Sequence, residues 1–441
     1  MRLNEIVSFS KGSFYNGAVQ TEWFYDNDKV GEIAKSYVFH GPKYYGVSGA
    51  DVKAGEHRLI DTASFAKNLT DKLYDKNPDS SFVMTIAGYG TGKSHLAVCL
   101  GALFSGKSEL SDKIVRNISS VDTDIGKCIE AKNTKRNLVI VLNGMNNFNL
   151  DAEILRCTRL SLARSKIDDS MLKRLTKSYD IARHFVDRMF DFSRAEFEKA
   201  AVNAGIELNG AELKNYLTKN VESDSKALRI INRVYEEVNG DKIAWDRGLS
   251  AGDILLTLEK ELCGDGKPFG KILLLFDEFG RYIEYTAANP AIAGESALQQ
   301  IFEAIQTADG KIIFVGFIQS ELKAYLSRIE KTSNITRYID RYRTACENLF
   351  LSSNFETILA NLLKKKQPEF DRTIGAAFER YGAFHTKMRL ALSAWDRSAV
   401  KKSVWVNEEL YDSAILGGCY PLHPITVWLL SNSHQWMQQR S

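Results

Sequence analysis

Residues 82–94 read FVMTIAGYGTGKS, and this stretch decides the fold class of the chain. Its first five residues, Phe82 to Ile86, form a short apolar run of the kind found in strands that are buried on both faces of a parallel sheet. A glycine-rich loop follows, and apolar residues repeat at helical spacing from Lys93 onward. The stretch therefore predicts a strand, a tight loop and a helix in direct succession.

The loop itself has the composition of a phosphate-binding segment. It runs Ala87-Gly88-Tyr89-Gly90-Thr91-Gly92-Lys93-Ser94, with Ala87 where the strict pattern has glycine. Glycines allow consecutive backbone N–H groups to point at one phosphate, and the N-terminus of the following helix adds partial positive charge. We expect Lys93 to contact the β- and γ-phosphates and Ser94 to offer its hydroxyl to Mg²⁺. The pattern thus predicts that the chain binds ATP with Mg²⁺.

Two further points concern this segment. A glycine-rich turn can match the pattern by chance, but the predicted strand before it and helix after it are the context that a phosphate loop requires. His95 directly follows Ser94 and is grouped with the loop as a candidate binding residue. Since it faces the start of the helix, we expect it to pack or cap there rather than to act as a catalytic base.

A second buried run ends in two carboxylates. Residues 271–276 read KILLLF, and Asp277 and Glu278 follow. Phosphoryl transfer needs a carboxylate in the metal shell and a group that positions the attacking water. Asp277 is the candidate for the metal shell and Glu278 for the water, although a solvated acidic turn after a core strand has the same pattern. With the phosphate loop upstream, the pair favours hydrolysis over binding alone.

Further strands and helices are predicted around these motifs. Apolar runs predict strands at 137–142, 311–317 and 348–351, so the fold class is α/β with a parallel sheet between helices. The charged chain between the second strand and the Asp-Glu strand predicts a long helical insertion, and a helical lid is expected at the end. The predicted segments are an N-terminal strand and turn arm (1–57), a first core half (58–147), the insertion (148–264), a second core half (265–352) and the lid with the start of a following region (353–441).

Composition limits the class of protein. The 441 residues carry 58 lysines and arginines against 55 aspartates and glutamates, a net charge of +3, so there is no global basic field for nucleic acid. The six cysteines show no CxxC spacing, which is typical of reduced, packed thiols. The longest apolar runs are strand-sized, far below the ~20 residues that span a bilayer. We therefore expect a soluble, cytoplasmic protein with no membrane partner.

The order of these motifs resembles the AAA+ ATPases and the related ORC and STAND ATPases. The match covers roughly residues 58–400 and implies a P-loop NTPase three-layer core with a helical lid. In that group the fourth core strand ends in a polar sensor, and Gln319 matches this position. A polar residue that ends the second strand often restrains the catalytic glutamate, and Asn143 matches it. A plain strand-end amide is the alternative for Asn143.

The same resemblance extends to a basic segment before the last core strand. Residues Arg337–Arg343 are similar to the arginine-finger segment of the group, from which Arg341 would reach the nucleotide of a neighbouring subunit. This likeness implies a homo-oligomer formed through the nucleotide sites. A solvated basic helix end is the alternative. The lid offers three candidates for a sensor arginine, among which the pattern does not choose: Arg380, Arg389 and Arg397.

A narrower resemblance lies at residues 420–424, which read YPLHP. This segment, together with the long insertion, is similar to the large bacterial phage-defence ATPases of the BrxC/PglY (BREX) kind. The likeness implies a DNA-linked, multi-protein defence system with protein partners, DNA as a candidate partner, and a chain that is the N-terminal part of a larger protein. Basic residues of the insertion, such as Arg156 and Arg159, could line a DNA or partner surface, but acidic residues are interleaved with them.

Three functions remain open at this stage. The chain could be an ATP-driven motor or remodeller in such a system, a nucleotide-gated signalling switch with slow turnover, or a scaffold with a structural nucleotide. The Asp277-Glu278 pair argues against the scaffold. Stimulation of turnover by DNA or a partner would separate a motor from a switch, because a switch should trap its nucleotide.

Overall fold

The computed structural model describes residues 2–9, 18–42, 52–54, 57–75, 78–88, 91–175, 177–221, 224–241, 243, 250–328, 346–351, 355–395 and 403–437. The chain forms two compact units. The first contains Met1–Met145, Cys263–Glu284 and Gly310–Ser441. The second contains Asn146–Leu262 and Tyr285–Asp309.

The strands all belong to the first unit. They are β1 (Val7–Phe9), β2 (Val52–Ala54), β3 (His57–Ile60), β4 (Phe82–Ile86), β5 (Leu138–Asn143), β6 (Ile272–Asp277), β7 (Ile312–Ile318), β8 (Glu347–Leu351) and β9 (Leu363–Lys365). Seven of them form one sheet in the order β2-β3-β8-β4-β7-β6-β5, which is parallel except for the antiparallel pair β2–β3. A separate antiparallel pair joins β1 to β9.

Helices connect these strands and form the second unit. Up to residue 326 they are α1 (Leu3–Ile6), a 3₁₀ helix (Thr21–Tyr25), α2 (Asn27–Ser36), α3 (Thr62–Tyr74), α4 (Lys93–Phe104), α5 (Glu109–Ser119), α6 (Thr123–Lys132), α7 (Leu150–Arg164), α8 (Ser170–Leu175), α9 (Lys177–Met189), α10 (Arg194–Asn203), α11 (Gly210–Asn220), α12 (Ser225–Asn239), α13 (Ala251–Leu262), α14 (Phe279–Ala288), α15 (Pro290–Ala293), α16 (Glu295–Thr307) and α17 (Leu322–Leu326). The C-terminal helical region follows β8 and comprises α-helices at Phe355–Leu362, Ala376–Arg380, Gly382–Trp395, Ser403–Val406, Glu408–Leu410 and Pro424–Met437, with π-helical turns at Asp371–Gly375 and Tyr411–Gly418.

The central strands β4, β6 and β7 are buried along their whole length. Successive side chains of a strand point to opposite faces of the sheet. Leu273 and Leu275 lie in the apolar cluster that includes α4, whereas Phe276 packs on Phe279 of α14 with ring centroids 5.1 Å apart. Helices therefore cover both faces of the sheet. The predicted α/β class with a parallel sheet is confirmed, and the five predicted strands agree with β4–β8 to within one residue at each end.

The N-terminal segment differs from the expected strands and turns. Between residues 18 and 42 it is mainly helical, with the 3₁₀ helix Thr21–Tyr25 followed by α2. The carboxylate of Asp26 caps α2, because it accepts hydrogen bonds from the N–H groups of Asp28 and Lys29. Val30 and Ile33 lie on the buried face of the helix. The expected strands and turns were wrong for this segment. Its aromatic residues favour strands by their propensity, whereas the single capping residue Asp26 starts a helix.

The second unit is helical, and its helices pack in two groups. In one, α13 packs against α7 and α16, and a Cβ at Gly252 would lie 2.7 Å from the carbonyl oxygen of Gln300. The carboxylate of Asp151 on α7 accepts a hydrogen bond from the N–H of Ala251 at the start of α13, at 2.6 Å. The other group buries an apolar cluster between α9, α10, α11 and α12. No described helix combines the length and the apolar character that crossing a bilayer requires.

Candidate functional site

The glycine-rich loop joins β4 to α4 at the carboxyl edge of the sheet. At its start, the N–H of Ala87 bonds to the carbonyl oxygen of Ile318 at 3.0 Å, which continues the pairing of β4 with β7. At its end, Gly92 has a φ of +80°, a left-handed conformation that glycine adopts without strain. The loop therefore brings the N-terminus of α4 to the end of β4. Tyr89 and Gly90 lie outside the described residues.

The side chain of Lys93 folds back over this loop. Its Nζ donates hydrogen bonds to the carbonyl oxygens of Ala87 and Gly88, at 2.9 Å and 3.0 Å. The residue is 6% exposed. Burial lowers the pKa of its ammonium group, and the charges of Glu278 and Asp277 oppose that shift. Lys93 thus lies between the loop and the acidic strand end, as a phosphate-binding cation would.

Ser94 and Asp277 are in direct contact. The hydroxyl of Ser94, in the first turn of α4, donates a hydrogen bond to Oδ2 of Asp277 at 2.6 Å. Asp277 ends β6 and is 3% exposed. Burial raises the pKa of this carboxyl to about 6, although the Ser94 hydroxyl opposes the shift. The two residues predicted to share a metal ion therefore lie side by side.

Glu278 lies just beyond Asp277, and Gln319 holds its side chain. Nε2 of Gln319 is 2.8 Å and 3.1 Å from the two carboxylate oxygens of Glu278. The backbone of Glu278 has a φ of +50°, a left-handed conformation that costs a non-glycine residue roughly 1 kcal/mol. A Cβ at Gly144 would lie 2.4 Å from the carbonyl oxygen of Glu278, so this close approach requires glycine. Backbone and side chain of Glu278 are therefore both fixed by their neighbours.

Gln319 is itself anchored by a tyrosine that the sequence did not mark. The backbone N–H of Gln319 donates to the hydroxyl oxygen of Tyr325 on α17 at 3.1 Å. Tyr325 is 5% exposed, and a Cβ at Gly280 would lie 2.2 Å from its ring. Burial raises the pKa of the Tyr325 hydroxyl. The turn after β7 is thus held by Tyr325 in the orientation that presents Gln319 to Glu278.

Asn143, the other residue assigned by resemblance, contacts a different carboxylate. It ends β5, in register with Asp277 on the neighbouring β6. Its Nδ2 lies 2.8 Å from each carboxylate oxygen of Glu22, which belongs to the N-terminal 3₁₀ helix. Nothing in the local sequence marks Glu22, because its partner lies 121 positions away.

His95 packs between α4 and α2. Its Nε2 lies 2.6 Å from the carbonyl oxygen of Ile33 and 3.4 Å from Oγ of Ser36. The ring meets Tyr37 edge-on, with centroids 5.0 Å apart. Burial lowers the pKa of the imidazole. These contacts involve α2 and the chain just after it, so the imidazole of His95 is engaged on the α2 side of α4.

The arginine candidates have varied surroundings. Arg341, with the whole segment Arg337–Arg343, lies outside the described residues, as does Arg397. Arg389 is 9% exposed and donates hydrogen bonds to the carbonyl oxygen of Val406 and the carboxylate of Glu408, so it is engaged within the C-terminal helical region. The guanidinium of Arg380 lies over the ring of Tyr381, 5.8 Å from its centroid.

Two basic residues of the insertion, Arg156 and Arg159, are paired with carboxylates. Arg156 donates two hydrogen bonds to Glu153, at 2.6 Å and 2.8 Å, and Arg159 lies 3.7 Å from Asp169. The pairing reduces the net positive field that these arginines present to a polyanion.

Other kinds of site are not found in the part of the chain that the structure describes. There, no group of three or more His, Cys, Asp or Glu residues could hold a metal ion. The six cysteines are free thiols. No protein-family model matches the chain, and comparisons with curated proteins and with solved structures likewise find no match. The residues around the glycine-rich loop are therefore the candidate functional site of the chain.

Proposed function

We propose that this chain is a Mg²⁺-dependent ATPase with a P-loop NTPase core. One observation carries the proposal: Lys93 and Ser94, at the end of the glycine-rich loop, lie beside the acidic pair Asp277 and Glu278, where Gln319 holds the Glu278 carboxylate. Open parallel sheets bind ligands at the carboxyl ends of their strands. The group combines a cation for phosphate, oxygen ligands for a metal, and a carboxylate for water, which are the parts that phosphoryl transfer to water requires.

The donor set at the end of β6 fits a magnesium ion. Mg²⁺ prefers oxygen ligands and is held by one or two protein oxygens together with phosphates and water. The Ser94 hydroxyl and the Asp277 carboxylate are such oxygens, and their 2.6 Å separation directs both to one place. A buried carboxylate whose pKa is raised by desolvation gains from a nearby cation. When bound there, Mg²⁺ would neutralise charge on the phosphate oxygens.

Glu278 is the candidate general base. Its carboxylate stands one residue beyond Asp277, where a water molecule in line with the terminal phosphate could donate a proton to it. Gln319, at 2.8 Å, orients that carboxylate and could also contact the water or the phosphate. Lys93 would exchange the carbonyl oxygens of Ala87 and Gly88 for phosphate oxygens when the nucleotide binds.

The role in the cell is a separate part of the proposal, and it rests on resemblance alone. By likeness to AAA+ ATPases and to the phage-defence ATPases, hydrolysis would drive conformational change in a DNA-linked, multi-protein system. Arg341 of one subunit would complete the site of the next in a homo-oligomer.

A nucleotide-gated switch with slow turnover is the second candidate. One contact favours it: Nζ of Lys93 is bound to the carbonyl oxygens of Ala87 and Gly88 in its own loop. This contact has to change before Lys93 can bind the phosphates. A protein built this way could trap ATP and respond to its presence rather than to its hydrolysis.

The proposal is tested by comparing Lys93→Ala with the unaltered protein. Binding of ATP and release of phosphate from Mg·ATP should both be lost, because the ammonium group is the principal cation for the phosphates. Lys113→Ala, on the exposed face of α5, is the matched control and should retain both activities. Equal ATP affinity in Lys93→Ala and the unaltered protein would refute the assignment of the loop. If phosphate is released in a single turnover much more slowly than ATP binds, the result would favour the switch.

A further inference from the structure

The N-terminal segment is attached to the core of the first unit at two places. At the first, the hydroxyl of Tyr25 donates to the carbonyl oxygen of Val141 at 3.0 Å and accepts from its N–H at 2.8 Å. This contact fixes the end of the 3₁₀ helix to β5. At the second, α2, which begins at Asn27, packs against α4. Because the chain is anchored just before its first turn, α2 provides a fixed support for the helix that follows the glycine-rich loop.

The last turn of α2 meets the first two turns of α4. The carbonyl oxygens in the last turn of a helix have no partner within that helix. Nε2 of His95 lies 2.6 Å from the carbonyl oxygen of Ile33, and Sγ of Cys99 lies 3.8 Å from that of Ala34. A carbonyl oxygen can only accept, so Nε2 of His95 carries the proton and donates the hydrogen bond. The side chains of α4 thus cap the C-terminus of α2.

The positions of α4 that face α2 recur at helical spacing. Gly92, His95 and Cys99 are three and four positions apart, which places them on one side of the helix. A Cβ at Gly92 would lie 3.9 Å from the ring of Tyr37, and the same ring meets His95 edge-on with centroids 5.0 Å apart. The turn of α4 that opens the candidate site is therefore held from the side by the end of α2 and the residue after it.

The position of this turn decides how the loop meets a phosphate. The first N–H groups of a helix have no partner within the helix and bind anions. Ser94 directly precedes His95, and its hydroxyl is directed to Asp277 at 2.6 Å. A shift of the turn at His95 would therefore displace both the N–H groups and this hydroxyl. A turn that is already in place binds its ligand more tightly, because less ordering accompanies binding.

We propose that His95 is a positioning residue, through which the C-terminus of α2 holds the first turn of α4 in the geometry that binds nucleotide phosphates. The inference rests on the proposed ATPase function and deepens it, because it makes ATP affinity depend on the N-terminal segment. In this role the imidazole contacts α2 and not the nucleotide. Bound ATP and the transition state meet the same turn, so the contact changes the affinity for ATP and leaves kcat unaltered.

The test compares His95→Phe, His95→Gln and Cys99→Ala in steady-state hydrolysis and in equilibrium binding of a non-hydrolysable ATP analogue with Mg²⁺. His95→Phe keeps a ring beside Tyr37 but cannot donate to Ile33. Its Kd should rise roughly 5-fold, in line with one neutral hydrogen bond, with kcat unchanged. His95→Gln should bind like the unaltered protein, because its amide nitrogen reaches about as far as Nε2. Cys99→Ala removes the contact with α2 that lies one turn further from the loop, and as the matched control it should keep the original Kd.

Three results would overturn the proposal. The first is an equal Kd in His95→Phe and the unaltered protein, and the second is a Kd in His95→Gln that stays as high as in His95→Phe. The third is an equal rise in Cys99→Ala, because a general loosening of the packing between α2 and α4 would then be the cause.

The fold should survive the principal substitution. The carbonyl oxygen of Ile33 still accepts a hydrogen bond from Oγ of Ser36 at 2.9 Å when His95 is replaced. If His95→Phe nevertheless melts below the assay temperature, His95→Asn takes its place, because the shorter amide does not reach Ile33. Failure of the ATPase proposal is distinct: Lys93→Ala and the unaltered protein would then bind the analogue equally weakly, and the role of His95 would be refuted with it. If only Lys93→Ala loses binding, the nucleotide site stands and the role of His95 alone is refuted.

Discussion

The hydroxyl of Ser94 and the carboxylate of Asp277 lie 2.6 Å apart, although 183 positions separate them in the chain. One stands in the first turn of α4 and the other at the end of β6. Their contact joins the glycine-rich loop to the acidic strand end in one constellation. A cation bound by either oxygen would lie within reach of the other.

We therefore predict that Ser94→Ala weakens the response to Mg²⁺. The concentration of Mg²⁺ for half-maximal hydrolysis at saturating ATP should rise roughly 10-fold or more, because one ligand is lost. Ser105→Ala is the matched control, since that hydroxyl bonds to the carbonyl oxygen of Gly101 at the other end of α4. An unchanged Mg²⁺ titration would remove Ser94 from the metal site.

Glu278→Gln should separate binding from hydrolysis. The amide has nearly the shape of the carboxylate but cannot take a proton, so kcat should fall by roughly 10²- to 10⁴-fold while ATP affinity is kept. Phosphate release and equilibrium nucleotide binding measure the two effects. Glu284→Gln, which alters a half-buried carboxylate paired with Arg328 at 3.2 Å, should hydrolyse ATP normally. Near-normal turnover of Glu278→Gln would assign the general base elsewhere.

Tyr325→Phe should slow hydrolysis through Gln319. Loss of one hydrogen bond, worth about 1 kcal/mol, predicts a kcat roughly 5-fold lower, with KM unchanged. In a Gln319→Ala background the same substitution should have no further effect, because the residue that Tyr325 positions is absent. Additive losses of kcat in the double variant would contradict an action of Tyr325 through Gln319. Tyr74→Phe provides the control, since it also loses a tyrosine hydroxyl that bonds to Asn133 and Lys135 on another part of the unit.

Asp61 should make stability depend on pH. Burial raises the pKa of this carboxyl from 3.8 to about 6, although the hydrogen bond that it accepts from the N–H of Ser64 opposes the shift. Between about pH 4 and pH 6 the folded chain holds a proton that the unfolded chain has released, so the free energy of unfolding falls as the pH rises through this window. Asp61→Asn keeps a capping side chain and removes the titration.

Urea unfolding at several pH values measures this effect. The slope of the free energy of unfolding against pH should become flatter in Asp61→Asn between about pH 4 and pH 6. Asp122→Asn, at the half-buried N-cap of α6, controls for replacement of a capping carboxylate. An equal slope in Asp61→Asn and in the unaltered protein would contradict the prediction.

Arg341→Ala should impair turnover without weakening the fold. If its guanidinium acts on the nucleotide of a neighbouring subunit, a mixture of Arg341→Ala with Lys93→Ala should recover part of the ATPase rate, because some interfaces then combine an intact loop with an intact arginine. Phosphate release from the mixture, with the mass of the assembly measured alongside, gives the answer. An assembled mixture that stays inactive would count against action between subunits.

The strands and the main constellation could be predicted because their signals are local. The apolar run before Asp277 does not alternate, which indicates burial on both faces, and parallel strands end at one common edge. Asp277 and Glu278 therefore stand out as carboxylates at the end of a buried strand, and the phosphate loop upstream indicates their roles at the metal ion and the water. Gln319 is predicted in a different way, by resemblance to the polar sensor that ends the fourth core strand of AAA+ ATPases.

Glu22 and Tyr325 could not be predicted because each acts through a tertiary contact. Glu22 reaches a partner in another part of the chain. Tyr325 lies only six positions from Gln319, but the local pattern does not fix how α17 returns beneath the turn. The helical form of residues 27–36 was missed for a related reason, because a run of aromatic residues beside it gives no clear period.

The hydroxyl of Tyr25 has a further consequence for the solubility of the chain. β5 is the last strand on its side of the sheet, and an unpaired strand edge is a template on which another polypeptide can add. Because Tyr25 occupies both the N–H and the carbonyl oxygen of Val141, strand addition from outside is blocked at that residue. Proteolytic removal of the chain before residue 27 would therefore expose the unpaired edge of β5 and promote aggregation.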